Sequence, residues 1–168
     1  TLEEKIPIVP LQIFVSTRTG RRFLCGYQPV RRRFSTLRLD QIQKVTLLEP
    51  FADYAYYKEK LKGNLPFCFG VSFGAAHEMD TIRLTLSVRE GPEDYIIHRL
   101  EREGRGGTVT RVEPGVWSYE ITVFDGNELI PWIRTFIGRI LSFESSSPFL
   151  RRKFYHDLRE MAKMYDLL

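Results

Sequence analysis

Between Gly20 and Val45 the chain carries seven bases, Arg21, Arg22, Arg31, Arg32, Arg33, Arg38 and Lys44, against one acid, Asp40. The same run, GRRFLCGYQPVRRRFSTLRLDQIQKV, is rich in residues that fit a pleated strand. Arginines held on a sheet suit a multivalent anion, because each guanidinium offers a rigid fork of N–H donors. Tyr27 and Phe34 lie among them, and a ring beside an arginine can stack on a base. The combination points to a nucleotide or single-stranded nucleic acid, with Tyr27, Arg31, Arg33, Phe34 and Arg38 as the binding set. Alternation sends Arg33 and Arg38 to opposite faces, so both line one surface only if the strand bends. Asp40 is placed to orient Arg38 or Arg22 through a bidentate pair. The plainer reading is that these arginines are solvated, or pair with carboxylates of the second half of the chain or of a partner subunit.

Other residue groups carry less chemistry. The glycine-rich EGRGG at 103–107 resembles a phosphate loop only superficially, since it closes a helix instead of opening one, and a C-cap with a turn explains it better. His77, His98 and His156 are far apart and none has a second ligand at metal spacing, so no metal or cofactor is expected. Ser145, Ser146 and Ser147 have no histidine nearby and read as capping residues. Trp117 and Trp132 read as packing residues, with Trp132 also suited to a dimer contact. No nucleophile, base and orienting group come together in the pattern, which argues against an enzyme.

The 168 residues allow one domain or two small ones, and a composition 43% apolar and 27% charged is that of a globular chain. A net charge of +4 is mild, so the excess from Arg18 to Lys44 must be offset elsewhere, as at Asp53, Glu78, Asp80, Glu90, Glu93 and Asp94. Cys25 and Cys68 sit in apolar settings without a CxxC pattern, which fits a reducing, cytoplasmic compartment. No apolar run is long enough to span a membrane and no signal peptide is recognisable. The absence of an initiator Met suggests that Thr1 is an internal position of a longer chain.

Strands must position the basic run. Alternation predicts them at 6–16, 21–27, 32–39 and 42–48, with turns at Ser16 to Gly20 and around Pro29. Short strands at this spacing with no helix between them suggest a small barrel. A short helix is expected over 53–61, with Asp53 at or near its N-cap and Gly63 stopping it. Residues 63–80 read as a connection packed against a domain, because Phe67, Phe69 and Phe73 would otherwise meet water. The second half gives a strand at 82–88, a helix at 92–103, strands at 108–112 and 116–124, a helix at 127–137 and a strand at 139–143. That order is the split βαβ arrangement. Ser147 and Pro148 then open a last helix, whose apolar stripe is Leu150, Phe154, Leu158, Met161 and Tyr165.

GRRFLCGY followed by RRRFSTLRLDQI resembles the WYL domain, in which an aromatic strand of G-R-R-Y-L type precedes an R-x-F-x-x-F-R-L-D-x-I strand. DYIIHRLEREGRGG, VFDGNELIPWIRTFIGRI and the Ser-Pro helix ending in Tyr165 resemble the C-terminal extension that follows such domains. Arg22-Phe23-Leu24 stands in place of the namesake Trp-Tyr-Leu, and Ser35 and Gln41 stand where relatives often carry a base. Such proteins usually have an N-terminal winged helix-turn-helix and a further barrel strand before the position of Ile6.

The expected fold class is therefore α+β: a small Sm-like or SH3-like β-barrel over residues 1–62, a packed linker over 63–80, and a ferredoxin-like βαββαβ domain with a C-terminal helix over 81–168. The resemblance implies the effector-sensing part of a bacterial transcriptional regulator, homodimeric, binding single-stranded nucleic acid or a nucleotide-like anion. DNA would be reached through the helix-turn-helix, and no membrane is involved. The alternative is an assembly module whose arginines pair with acids such as Glu93 and Asp94 of a partner chain.

Overall fold

The computed structural model describes residues 5–16, 19–73 and 79–167. The chain is mixed α+β and divides into two compact units, Thr1–His77 and Glu78–Leu168. The division falls inside the stretch read as a connection, of which residues 74–78 lie outside the described residues, as do 17–18 of the first hairpin loop.

In the first unit, β1 (Val9–Val15), β2 (Arg22–Gln28) and β3 (Arg33–Arg38) form an antiparallel sheet in that order. Phe23, Cys25 and Tyr27 stand opposite Arg38, Thr36 and Phe34, so these six residues share one face. Cys25, Tyr27 and Phe34 on it are buried, together with Leu61 of α1 (Tyr54–Asn64) and Phe73. Gly26 is a close approach: a Cβ there would lie 2.5 Å from the Val9 carbonyl oxygen and from Ile8.

Two expectations for this unit are corrected. No closed barrel forms among the described residues, because 42–48 is not a strand. A single 3-10 turn, Leu39–Gln41, leads the chain off the sheet directly after β3, and the segment that follows pairs with no strand among the described residues. Val45, Leu47 and Leu48 consequently remain 81%, 95% and 69% exposed. Secondly, α1 runs through Gly63 to Asn64; Asp53 does stand at its N-cap, although its side chain makes no capping bond.

The second unit is a four-stranded antiparallel sheet of order β5-β6-β4-β7, built from β4 (Asp80–Ser87), β5 (Thr108–Glu113), β6 (Val116–Val123) and β7 (Ile140–Ser145). Ile82, Leu84 and Leu86 alternate into a core with Tyr119, Ile121, Val123 and Phe143. Strand-period alternation on these neighbours gives one apolar face, and α2 (Asp94–Glu103) adds Ile96, Ile97 and Leu100 at helical spacing. The expected helix over 127–137 is instead broken into a 3-10 turn at Gly126–Glu128, the single α-turn α3 (Ile130–Ile133) and a second 3-10 turn at Arg134–Phe136. Pro131 has no N–H to continue a ladder begun at Asn127, so the α-turn starts afresh around it.

The last helix, α4 (Pro148–Met164), begins as its capping residues dictate, with the Ser147 hydroxyl accepting the Leu150 N–H at 3.5 Å. Leu150 and Phe154 are buried, and the Phe154 ring lies 4.4 Å from that of Phe143. Burial of the stripe fades along the helix, and Tyr165 is exposed. Among the described residues no helix is long and apolar enough to cross a membrane.

Candidate anion-binding site

The basic run is divided between the two ends of the β2–β3 hairpin. At one end, Arg38 is bound side-on by Asp40: Nε donates to one carboxylate oxygen at 3.0 Å and Nη2 to the other at 2.6 Å. This bidentate pair raises the affinity of Arg38 for its proton and lowers that of Asp40, whose carboxylate also feels the charge of Arg21. Two of the five guanidinium N–H groups are engaged, so the rest remain to donate elsewhere from a fixed plane. Arg21 and Arg22 are exposed at the same end.

At the other end the chain turns through residues 29–32, with the Arg32 N–H reaching the Pro29 carbonyl oxygen at 3.4 Å. Arg31 and Arg32 are exposed there and Arg33 is half-buried. Arg32 has φ of 50°, in the left-handed region that an L-residue occupies at a cost of about 1–2 kcal/mol. Gln28 lies six residue steps beyond Arg22 along β2, so the two arginine groups stand roughly 20 Å apart.

The five residues expected to form one site are thus brought together only in part: Tyr27 and Phe34 meet, whereas the arginines are divided between the two ends of the hairpin. Arg33, opposite Gln28, and Arg38, opposite Phe23, lie at opposite ends of β3 as well as on opposite faces. Tyr27 and Phe34 do not offer free rings. Tyr27 stacks on Tyr57 of α1, with centroids 3.6 Å apart and planes at 20°, and Phe34 packs edge-on to Tyr27 and against Phe73 at 5.6 Å. The Tyr57 hydroxyl donates to that of Tyr27 at 3.0 Å, which pushes the Tyr57 phenol up to about 12. The register that puts both rings on one face, and the helix that covers it, lie outside what alternation within a strand can show. Cys25, between them, is buried, and burial raises its thiol to about 12.

In the second unit, the acids considered as partners for these arginines are already engaged. Glu93 accepts the Arg89 backbone N–H at 3.0 Å, the Arg89 guanidinium at 3.0 Å and the Arg139 guanidinium at 2.9 Å, and Asp94 accepts the Gly91 N–H at 2.9 Å. These donors, first the Arg89 backbone, hold the Glu93 carboxyl at about 2. EGRGG makes room for a ring: a Cβ on Gly107 would meet Tyr119 at 2.2 Å, and the Tyr119 hydroxyl donates to the Gly104 carbonyl at 2.7 Å. Among the described residues no group of His, Cys, Asp or Glu side chains is placed to hold a metal ion.

One basic group escaped the sequence reading. Arg151, Arg152 and Arg159 of α4 line a shallow groove with Tyr155, and the i, i+4, i+8 spacing of 151, 155 and 159 is a helical stripe that the stronger apolar stripe obscured. No protein-family model matches the chain, and no curated protein matches it.

Proposed function

We propose that the chain is the effector-sensing part of a transcriptional regulator of the WYL type, and that its first unit binds single-stranded nucleic acid through the arginines of the β2–β3 hairpin. The observation that carries this reading is Arg32. A turn position with φ of 50° favours Gly or Asn, yet it holds an arginine, flanked by two more and exposed to solvent. A backbone cost kept at an exposed charge is accounted for when that charge has a ligand. The roughly 20 Å between the turn and the Arg21, Arg22 and Arg38 end favours an oligonucleotide, which spans both groups, over a mononucleotide. With Tyr27 and Phe34 buried, phosphate contacts dominate, and binding is indifferent to base sequence.

The order β5-β6-β4-β7, with α2 between β4 and β5 and the broken helix between β6 and β7, supports a ferredoxin-like reading of the second unit. Its role would be to pass the effector signal to a homodimeric partner and to a DNA-reading helix-turn-helix. The test is fluorescence anisotropy of a labelled single-stranded oligonucleotide titrated with the full chain. Affinity is expected to fall steeply with salt, with a slope of about −0.7 per phosphate neutralised. Flat anisotropy at low salt overturns the proposal.

A further inference from the structure

Strand β7 ends the sheet order β5-β6-β4-β7 and lies beside α4. Alternate residues of such an edge strand turn their N–H and C=O away from the sheet. At Phe143 both outward groups meet one hydroxyl: the N–H donates to Tyr155 Oη at 3.2 Å, and Oη donates to the carbonyl oxygen at 3.3 Å. The first is at the long end of the ordinary range and the second beyond it, so Tyr155 is a weak substitute for a partner strand. Ser145, two residues on, shares the phase of Phe143 and borders a shallow groove of about 380 Å³. Pro148, Arg151, Arg152, Tyr155 and Arg159 complete that groove, and Leu158 and Ala162 continue it along the helix. The three arginines are exposed and form no ion pair among the described residues.

Edge amides and carbonyls at strand spacing match another polypeptide backbone. The aliphatic Leu158 and Ala162 suit a side chain better than a phosphate, and the arginines select the sign of charge. We propose that the groove between β7 and α4 takes an extended acidic peptide segment of a protein partner. The segment adds to β7 as a further strand, displaces the Tyr155 hydroxyl from Phe143, and sets its carboxylates against Arg151, Arg152 and Arg159. This site is independent of the hairpin arginines, so either reading can fail alone.

The test uses the full chain and a fluorescein-labelled peptide of about ten residues alternating Thr and Glu, long enough to cross the strand. Saturable binding is expected, weakened about tenfold or more in Arg151→Ala/Arg152→Ala/Arg159→Ala. N-methylation of alternate peptide amides should weaken it similarly, because the strand pairing is lost. Tyr155→Phe, which removes the competing hydroxyl, should tighten it. No binding at about 1 mM peptide overturns the proposal. So does equal binding of the N-methylated peptide, or inorganic tripolyphosphate binding with the same arginine dependence while the peptide does not bind, either of which makes the groove a simple anion site.

Discussion

Glu93 sits under three N–H donors, and Glu103 accepts from the guanidinium of Arg99 at 3.0 Å and from Trp132 Nε1 at 3.0 Å. Both carboxyls are drawn from 4.5 to about 2, Glu93 first by the Arg89 backbone and Glu103 first by Arg99. Their folded values lie below the unfolded ones, so the stability they contribute is complete above about pH 4.5 and is lost as pH falls through about 2. Trp117 and Trp132 both belong to the second unit and report its melting by fluorescence. The melting midpoint should drop across that interval, and Glu93→Gln should lower the midpoint at pH 7 while flattening the acid dependence. An unchanged acid profile in the variant would contradict this account of Glu93. At Arg32 the expectation has two signs. Arg32→Gly relieves the left-handed cost and adds flexibility to the unfolded chain, for a net gain on the order of 0.5 kcal/mol, while oligonucleotide affinity falls. Denaturant melts that show clear destabilisation would remove the argument built on this turn.

Elements differ in how far their residues specify them. The last helix was legible, because Ser147, Pro148 and the apolar stripe act locally and do not depend on distant partners. Phe154→Ala removes a ring that is 1% exposed and is expected to cost about 3–5 kcal/mol, measured by urea unfolding. Gly107→Ala should also destabilise, since the Tyr119 ring occupies the place of the new methyl. A variant as stable as the parent would mean that Tyr119 can move aside. The segment 42–48 was not legible, since its alternation describes a strand and a strand exists only when a neighbour pairs with it. The helix over 127–137 misled for another reason: its apolar spacing is genuine, but Pro131 interrupts the hydrogen-bond ladder. Of the candidate site, the charge density was visible from residue types. The placing of Arg33 and Arg38 on opposite faces was also visible, from alternation along one strand, whereas the burial of Tyr27 and Phe34 depends on α1, which no local pattern contains.

At the scale of the molecule, one unit carries a hairpin with arginines at both ends, and the other carries an open edge beside a basic helix. Thiol chemistry gives a check on the first unit as a folded body. Cys25 is fully buried with a raised thiol, so it should resist iodoacetamide at pH 8 and react on unfolding. Prompt labelling of Cys25 in the native chain would show that the β2 core opens easily. The central claim is that both arginine groups of the hairpin contact one nucleic-acid strand. The most direct measurement is the salt dependence of oligonucleotide binding in Arg21→Ala/Arg22→Ala, in Arg31→Ala/Arg32→Ala and in the parent chain. Each double variant should weaken binding and lower the salt slope by about 1 to 2, and a mononucleotide should compete poorly. Slopes identical to the parent in both variants would contradict the claim.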